Sequence, residues 1–307
     1  MKRCPVCRAR NPDSAATCAS CGSRLDRGQA PSDRLLDEVL GGKGLGLDPA
    51  LYEYPGDREG VERLKALQID KIVKIYIRYW SGPQGMAALL GNAVEITQKQ
   101  FGDIYQTGAR AASNLCMPVP RMFVLQNPTM NAATYGVDEQ NFVMLTSALI
   151  DSLMPEELAF TLGHELGHIK SNHVLYLNAA HWAISGAMAL LGMIVAGPIG
   201  LIMGPAFRVA LNEWSKKAEY TADRAGLIAS RDLNSSILSL VKITLGSRSL
   251  IDKVDLEAFL EQMEERAAQE YGFVEMFQSH PFMPKRVKEI KAFYETGFKA
   301  AAGLEAE

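Results

Sequence analysis

The chain lacks a dominant charge. Its 32 lysines and arginines are offset by 35 aspartates and glutamates, for a net charge of −3. That leaves no basic excess to neutralise a phosphate backbone, so nucleic acid is not expected as the main partner. Cysteine is scarce over most of the length: of five, four fall in the first 21 residues and Cys116 stands alone. The start, Met1-Lys2-Arg3-Cys4-Pro5, has no apolar run, so no secretory signal peptide is expected. Thiols without an export signal fit a reducing, cytoplasmic setting, where metal explains them better than disulfides. Cys116 is expected as a small buried hydrophobe. Long hydrophobic runs are also scarce. Residues 182–207 carry no charge, but Gly197-Pro198 and Gly204-Pro205 cut them. The unbroken piece, Ala183 to Ala196, falls short of the ~20 residues that span a bilayer. The expectation is a buried or peripherally inserted helical hairpin, with membrane association through 182–207 as its consequence if inserted.

What is present suits a globular protein with a sizeable core: 307 residues, 48% hydrophobic and 22% charged. At the start, Cys4-Pro5-Val6-Cys7 and Cys18-Ala19-Ser20-Cys21-Gly22 form two CxxC pairs. Four thiolates at this spacing can close a tetrahedral zinc site. A piece of ~25 residues cannot bury a core of its own, and a structural zinc contributes on the order of 10–16 kcal/mol to folding it. Residues 1–26 resemble a zinc ribbon, with Cys4, Cys7, Cys18 and Cys21 as ligands and a structural or protein-docking role. Residues 27–48 read as a glycine-rich linker. Their glycines do not form a phosphate loop, because no GxxxxGK[ST] is present.

From residue 49 to 299 a single larger unit is expected. Residues 58–81 and 86–115 carry apolar residues at helical spacing. Three short strands then follow, at 122–126, 131–136 and 141–145. Residues 232–270 and 285–295 return to helices, and 300–307 read as a tail.

The chemistry concentrates in Gly163-His164-Glu165-Leu166-Gly167-His168. Pro155-Glu156-Glu157 marks a helix start: proline suits the first position and the acids complement the dipole. On that helix His164 and His168 are i and i+4, so both imidazoles can face one metal ion. Glu165 is the next residue round and can reach a water held there. A third ligand must come from elsewhere. The pattern HExxHxxGxxH would place it at position 174, which is valine, and His173 is one residue early. His173 is therefore read as a supporting or surface residue. Glu219 and Asp223, also i and i+4, offer an alternative. Glu219 could complete a two-histidine, one-glutamate site, and Asp223 could accept a hydrogen bond from the far nitrogen of a ligand histidine. Taken alone, the same residues could form a solvated acidic face paired with Lys216, Lys217 and Arg224.

HELGH, the later E-x-x-x-D helix, Asn131-Ala132 before it and Ser279-His280-Pro281 with Arg286 beyond resemble the M48 metallopeptidases over about residues 50–295. The likeness is to the soluble members of that family. It implies an α+β, mostly α, gluzincin (thermolysin-like) domain with a small β-sheet, and a zinc metalloendopeptidase of protein quality control. It implies His164, His168 and Glu219 as ligands of a catalytic zinc and Glu165 as general base, acting on a zinc-bound water. It further implies Asp223 and Arg286 as supports, His280 at the oxyanion, and a strand through Asn131, Ala132 and Ala133 holding an extended polypeptide substrate. Two zinc ions are thus expected, one catalytic and one structural. The competing expectation is an inactive or slow peptidase fold serving as a ribbon-based scaffold or chaperone-like binder.

Overall fold

The computed structural model describes residues 2–3, 10–12, 47–66, 74, 91–136, 141–177, 205–251, 253–255, 258–259, 261–262, 265 and 281–298. Cys4, Cys7, Cys18, Cys21, His280, residues 182–204 and the tail therefore lie outside the described residues. Among those described, no helix is long and apolar enough to cross a membrane.

The architecture is mostly helical with one small mixed sheet. Near the start, β1 (Lys2–Arg3) pairs antiparallel with β2 (Arg10–Asn11). The main sheet contains β3 (Ala93–Ile96), β4 (Arg121–Leu125), β5 (Ala132–Tyr135) and β6 (Phe142–Thr146) in the order β3-β4-β6-β5. The β4–β6 pair is parallel and the other two are antiparallel. The helices are α1 (Asp57–Ala66), α2 (Gly102–Asn114), α3 (Ser147–Ser152), α4 (Pro155–Lys170), α5 (Pro205–Ser230), α6 (Leu233–Leu245), α7 (Arg248–Ile251) and α8 (Met283–Phe293). A π-helical turn, Tyr294–Phe298, extends the last of these.

Two sequence expectations need correction. Residues 86–115 do not form one helix: β3 occupies Ala93–Ile96, and α2 begins at Gly102. Partners decide this. Val94 and Ile96 sit opposite Val124 and Met122 of β4, and Glu95 accepts from Arg121 at 2.8 Å. A four-residue strand cannot reveal such pairing through its own period. Cys116, expected to be buried, is only partly so, at a left-handed φ of 51° just past α2.

Helix α4 is the centre of the fold. Pro155 takes its first turn, and the Glu157 carboxylate accepts from the Met154 N–H at 2.7 Å, satisfying a donor that helix starts leave open. Lys242 of α6 closes on the same carboxylate at 2.7 Å. Every residue from Glu157 to His168 is buried. A helix enclosed on all sides must satisfy its polar side chains inside the protein, which constrains what its histidines can do.

Helix α5 packs hardest against α4, and small residues make this possible. A Cβ added to Gly163 would lie 2.2 Å from the Ala229 Cβ and 3.0 Å from the Gly226 Cα. One added to Gly167 would lie 2.6 Å from the Ala225 Cβ, and one on Gly226 would lie 2.8 Å from the Phe160 carbonyl oxygen. As α4 advances four residues, α5 retreats four, so the helices run antiparallel in register. The same register faces His164 and His168 toward Asp223 and Glu219. Alanine in place of a helical glycine ordinarily gains ~0.8–1 kcal/mol. Overpacking here costs ~1–3 kcal/mol, so the clash wins. Gly163→Ala and Gly226→Ala are expected to lower the thermal midpoint by several degrees. Gly102→Ala, whose Cβ would meet nothing within 4 Å, should leave it unchanged or raise it. Equal midpoints for all three variants would contradict this packing.

Candidate metal centre

One turn of α4 separates His164 from His168, and their Nε2 atoms lie 3.2 Å apart. Glu219 reaches in from α5. Its Oε2 is 3.6 Å from His164 Nε2 and its Oε1 is 3.5 Å from His168 Nε2. All three side chains are buried, and their donor atoms fall within 4.8 Å of one another. Two ring nitrogens this close cannot both carry protons toward each other. Two imidazole lone pairs and a carboxylate converging in the interior form a donor set that a divalent cation satisfies. Ligands ~2.0–2.1 Å from a tetrahedral zinc stand roughly 3.3 Å apart, so the observed spacings fit with small adjustments.

The two rings are held differently. His164 Nδ1 lies 2.9 Å from Asp223 Oδ1. Arg286, on the first turns of α8, grips Asp223 with two bonds, Nε to Oδ2 at 2.8 Å and a terminal nitrogen to Oδ1 at 2.5 Å. The same nitrogen is 3.9 Å from Glu219 Oε2. Burial alone would push the Asp223 carboxyl up, but the Arg286 charge and hydrogen bonds, with those of His164, bring it below the usual range. Burial alone would lower His164. The hydrogen bond to Asp223 and the Glu219 charge outweigh it and raise the ring. His168 goes the other way: burial lowers it, and Glu219 does not compensate. Among the described residues its Nδ1 meets no carboxylate directly but lies 3.1 Å from His173 Nδ1.

Glu165 is buried beside the cluster, and the Thr134 hydroxyl of β5 donates to its Oε2 at 2.6 Å. The structure thus gathers His164, His168, Glu219, Asp223, Arg286 and Glu165 around α4. Asn131 precedes β5, and its N–H donates to Thr146 Oγ1 at 2.9 Å. Ala132 and Ala133 pair with Leu145 and Met144 of β6, which places them on an edge strand beside α4. His280 lies outside the described residues. Sequence reasoning placed Thr134 within the strand at 131–136 but missed its bond to Glu165, although Thr134 shares a strand face with Ala132, two positions earlier. It also missed Asp57, and it left His173 undecided between a support and a surface residue; that ring is 1% exposed and packs behind His168.

Comparison with known proteins points to one family. The sequence model of Peptidase family M48 matches residues 98–293. The chain is 28% identical over 218 residues to the plastoglobule-localized metallopeptidase 48 of Arabidopsis thaliana, a match covering 70% of this chain and 62% of that protein. It is 24% identical over 244 residues to a protease HtpX homolog of Lactobacillus acidophilus, covering 69% and 80% of the two chains. A protease HtpX homolog of Streptococcus pyogenes is 23% identical over 232 residues, covering 66% and 77%. The match takes in α2, the main sheet apart from β3, and both helices of the donor cluster, and it shows that the chain belongs to peptidase family M48.

Proposed function

We propose that this protein is a zinc-dependent endopeptidase of gluzincin type, and that it acts in protein quality control. The observation that carries this reading is the convergence of His164 Nε2, His168 Nε2 and Glu219 on one buried point, with Glu165 on the same helix. His164, His168 and Glu219 would hold the ion. A bound zinc would supply Lewis acidity, lowering the pKa of a coordinated water and polarising a peptide carbonyl.

This chain's residues do the rest. Glu165 accepts a proton as the peptide carbonyl is attacked and passes it to the leaving amine. Thr134 donates to Glu165 Oε2, which fixes the carboxylate's rotamer and leaves Oε1 for the proton. Asp223, clamped by Arg286, keeps the His164 proton on Nδ1 and so its Nε2 lone pair toward the centre. The edge strand through Asn131, Ala132 and Ala133 can pair with an extended substrate backbone, chiefly by the outward groups of Ala132, because the Asn131 N–H and carbonyl bond to Thr146. His280, close in sequence to Arg286, is assigned to the oxyanion. Cys4, Cys7, Cys18 and Cys21 form a second, structural zinc site. The β1–β2 hairpin brackets the first of their CxxC pairs in sequence, as in a ribbon. This second site would serve structure or docking of a protein partner.

The test combines metal content with cleavage. Purified full-length protein should carry about two zinc ions, falling to about one in Cys4→Ser and in His164→Ala. It should degrade unfolded casein. A chelator should stop this, and zinc should restore it. A chain that carries no zinc outside the ribbon, or cleaves equally well after the metal is stripped, would overturn the proposal.

A further inference from the structure

We propose that Asp57, acting through His173, is a positioning residue that fixes the tautomer and orientation of His168. The proposal rests on the reading that His168 Nε2 faces the metal. It deepens that reading by bringing in a segment, residues 47–66, that lies before the family match at 98–293.

A chain of buried hydrogen bonds carries it. His168 Nδ1 is 3.1 Å from His173 Nδ1, and the other nitrogen of His173, Nε2, is 3.0 Å from Asp57 Oδ2. Trp214 Nε1–H donates to Asp57 Oδ1 at 3.0 Å, and the Thr221 hydroxyl donates to Oδ2. The Tyr54 N–H donates to Thr221 Oγ1 at 2.9 Å, which turns the hydroxyl proton away from itself and onto Asp57. Asp57 and His173 are each 1% exposed.

The direction of every bond then follows. Asp57 gathers donors from three residues and acts as an acceptor-only carboxylate. His173 must offer it the proton on Nε2. In the neutral ring Nδ1 is then a lone pair, and the atom facing it is His168 Nδ1, which must carry a proton. That leaves the lone pair of His168 on Nε2, the atom 3.5 Å from Glu219. Hydrogens run one way from the metal-facing ring to Asp57. His164 obtains the same outcome in one step from Asp223. His168 obtains it in two, because among the described residues its Nδ1 meets His173 and not a carboxylate.

The segment bearing Asp57 is locked to the two central helices. The Tyr52 hydroxyl is 3.2 Å from Ser171 Oγ at the end of α4, and Arg224 of α5 donates to the Glu53 carbonyl at 3.1 Å. Arg224 also stacks over the Tyr54 ring at 5.0 Å. A carboxylate held this firmly can serve as a fixed reference for rings one and two bonds away.

The experiment uses the full chain labelled with ¹⁵N-histidine, which has five histidines. The His168 signals are assigned by their loss in His168→Ala. In wild type, His168 should carry its proton on Nδ1 before zinc is added. In Asp57→Asn that preference should be lost, and affinity for zinc at the central site, measured by chelator competition, should fall ~10–100-fold. His173→Gln, whose amide oxygen can still accept from His168 Nδ1, should retain more affinity than His173→Phe, which cannot. An unchanged tautomer and affinity in Asp57→Asn would overturn the proposal. Should Asp57→Asn fail to fold, equal affinities for His173→Gln and His173→Phe would overturn it instead. A wild-type chain that binds no zinc centrally would defeat the metal-site reading, while the His168 tautomer would still report on the relay.

Discussion

Glu165→Gln is expected to abolish peptide-bond cleavage while leaving the central zinc in place. Glutamine matches glutamate in shape and keeps an oxygen toward the Thr134 hydroxyl, which donates to Glu165 Oε2 at 2.6 Å. It cannot take up a proton. A positioned acid–base group contributes ~10²–10⁴-fold to a rate, so the loss should fall in that range or exceed it. Glu165 does not belong to the three-donor cluster of His164, His168 and Glu219, so the zinc count should not change. Initial rates on casein, metal content and the thermal midpoint separate the outcomes. A variant that cleaves within tenfold of wild type would remove Glu165 from the mechanism. One that loses its zinc as well would mean that Glu165 acts on the metal site itself.

The parts of this molecule that were legible in the sequence are those set by local period. The shared face of His164 and His168 and the shared face of Glu219 and Asp223 follow from helical spacing, and the start of α4 at Pro155 follows from the proline and the two acids after it. The strands at β4, β5 and β6 are legible to within a residue or so, β4 from an apolar run between prolines and β5 from a short stretch of small and polar residues. The glycines and alanines that bring α4 and α5 together were also in view. Gly163 and Gly167 repeat at four, and Ala222, Ala225, Gly226 and Ala229 at three and four, but their meaning needs both helices at once. β3 was hidden because its evidence is its partner β4. Asp57 was hidden for a similar reason. It opens α1 as an ordinary first-turn acid, a role that explains it without any site. Only the fold shows it buried against His173, Trp214 and Thr221. The spacing of His173 is wrong for a ligand in the HExxHxxGxxH pattern, but spacing says nothing about what stands behind a ligand.

Glu219→Gln should produce the opposite failure to Glu165→Gln: the central zinc goes and the fold stays. Glu219 is the one anionic donor among the three, and it is 2% exposed. Two neutral imidazoles and an amide oxygen offer a divalent cation far less than two imidazoles and a carboxylate, because the interior does not screen the lost charge. Structural zinc sites with four protein ligands are worth on the order of 10–16 kcal/mol, or ~3–4 kcal/mol per ligand, and a loss of that size is roughly 10²–10³-fold in affinity. The metal-free fold should tolerate the change, since glutamine keeps the side chain's shape and volume and an oxygen toward the two rings. Arg286 keeps its two bonds to Asp223 and is not stranded. The signature is therefore in the linkage between metal and stability. At a free zinc concentration of 100 times the wild-type Kd, binding adds ~2.7 kcal/mol to wild type. The variant should gain almost none of that, while Glu165→Gln should gain all of it. If Glu219→Gln holds the central zinc at wild-type affinity, the third ligand is another residue, and the packing of α5 against α4 has a purpose other than delivering Glu219.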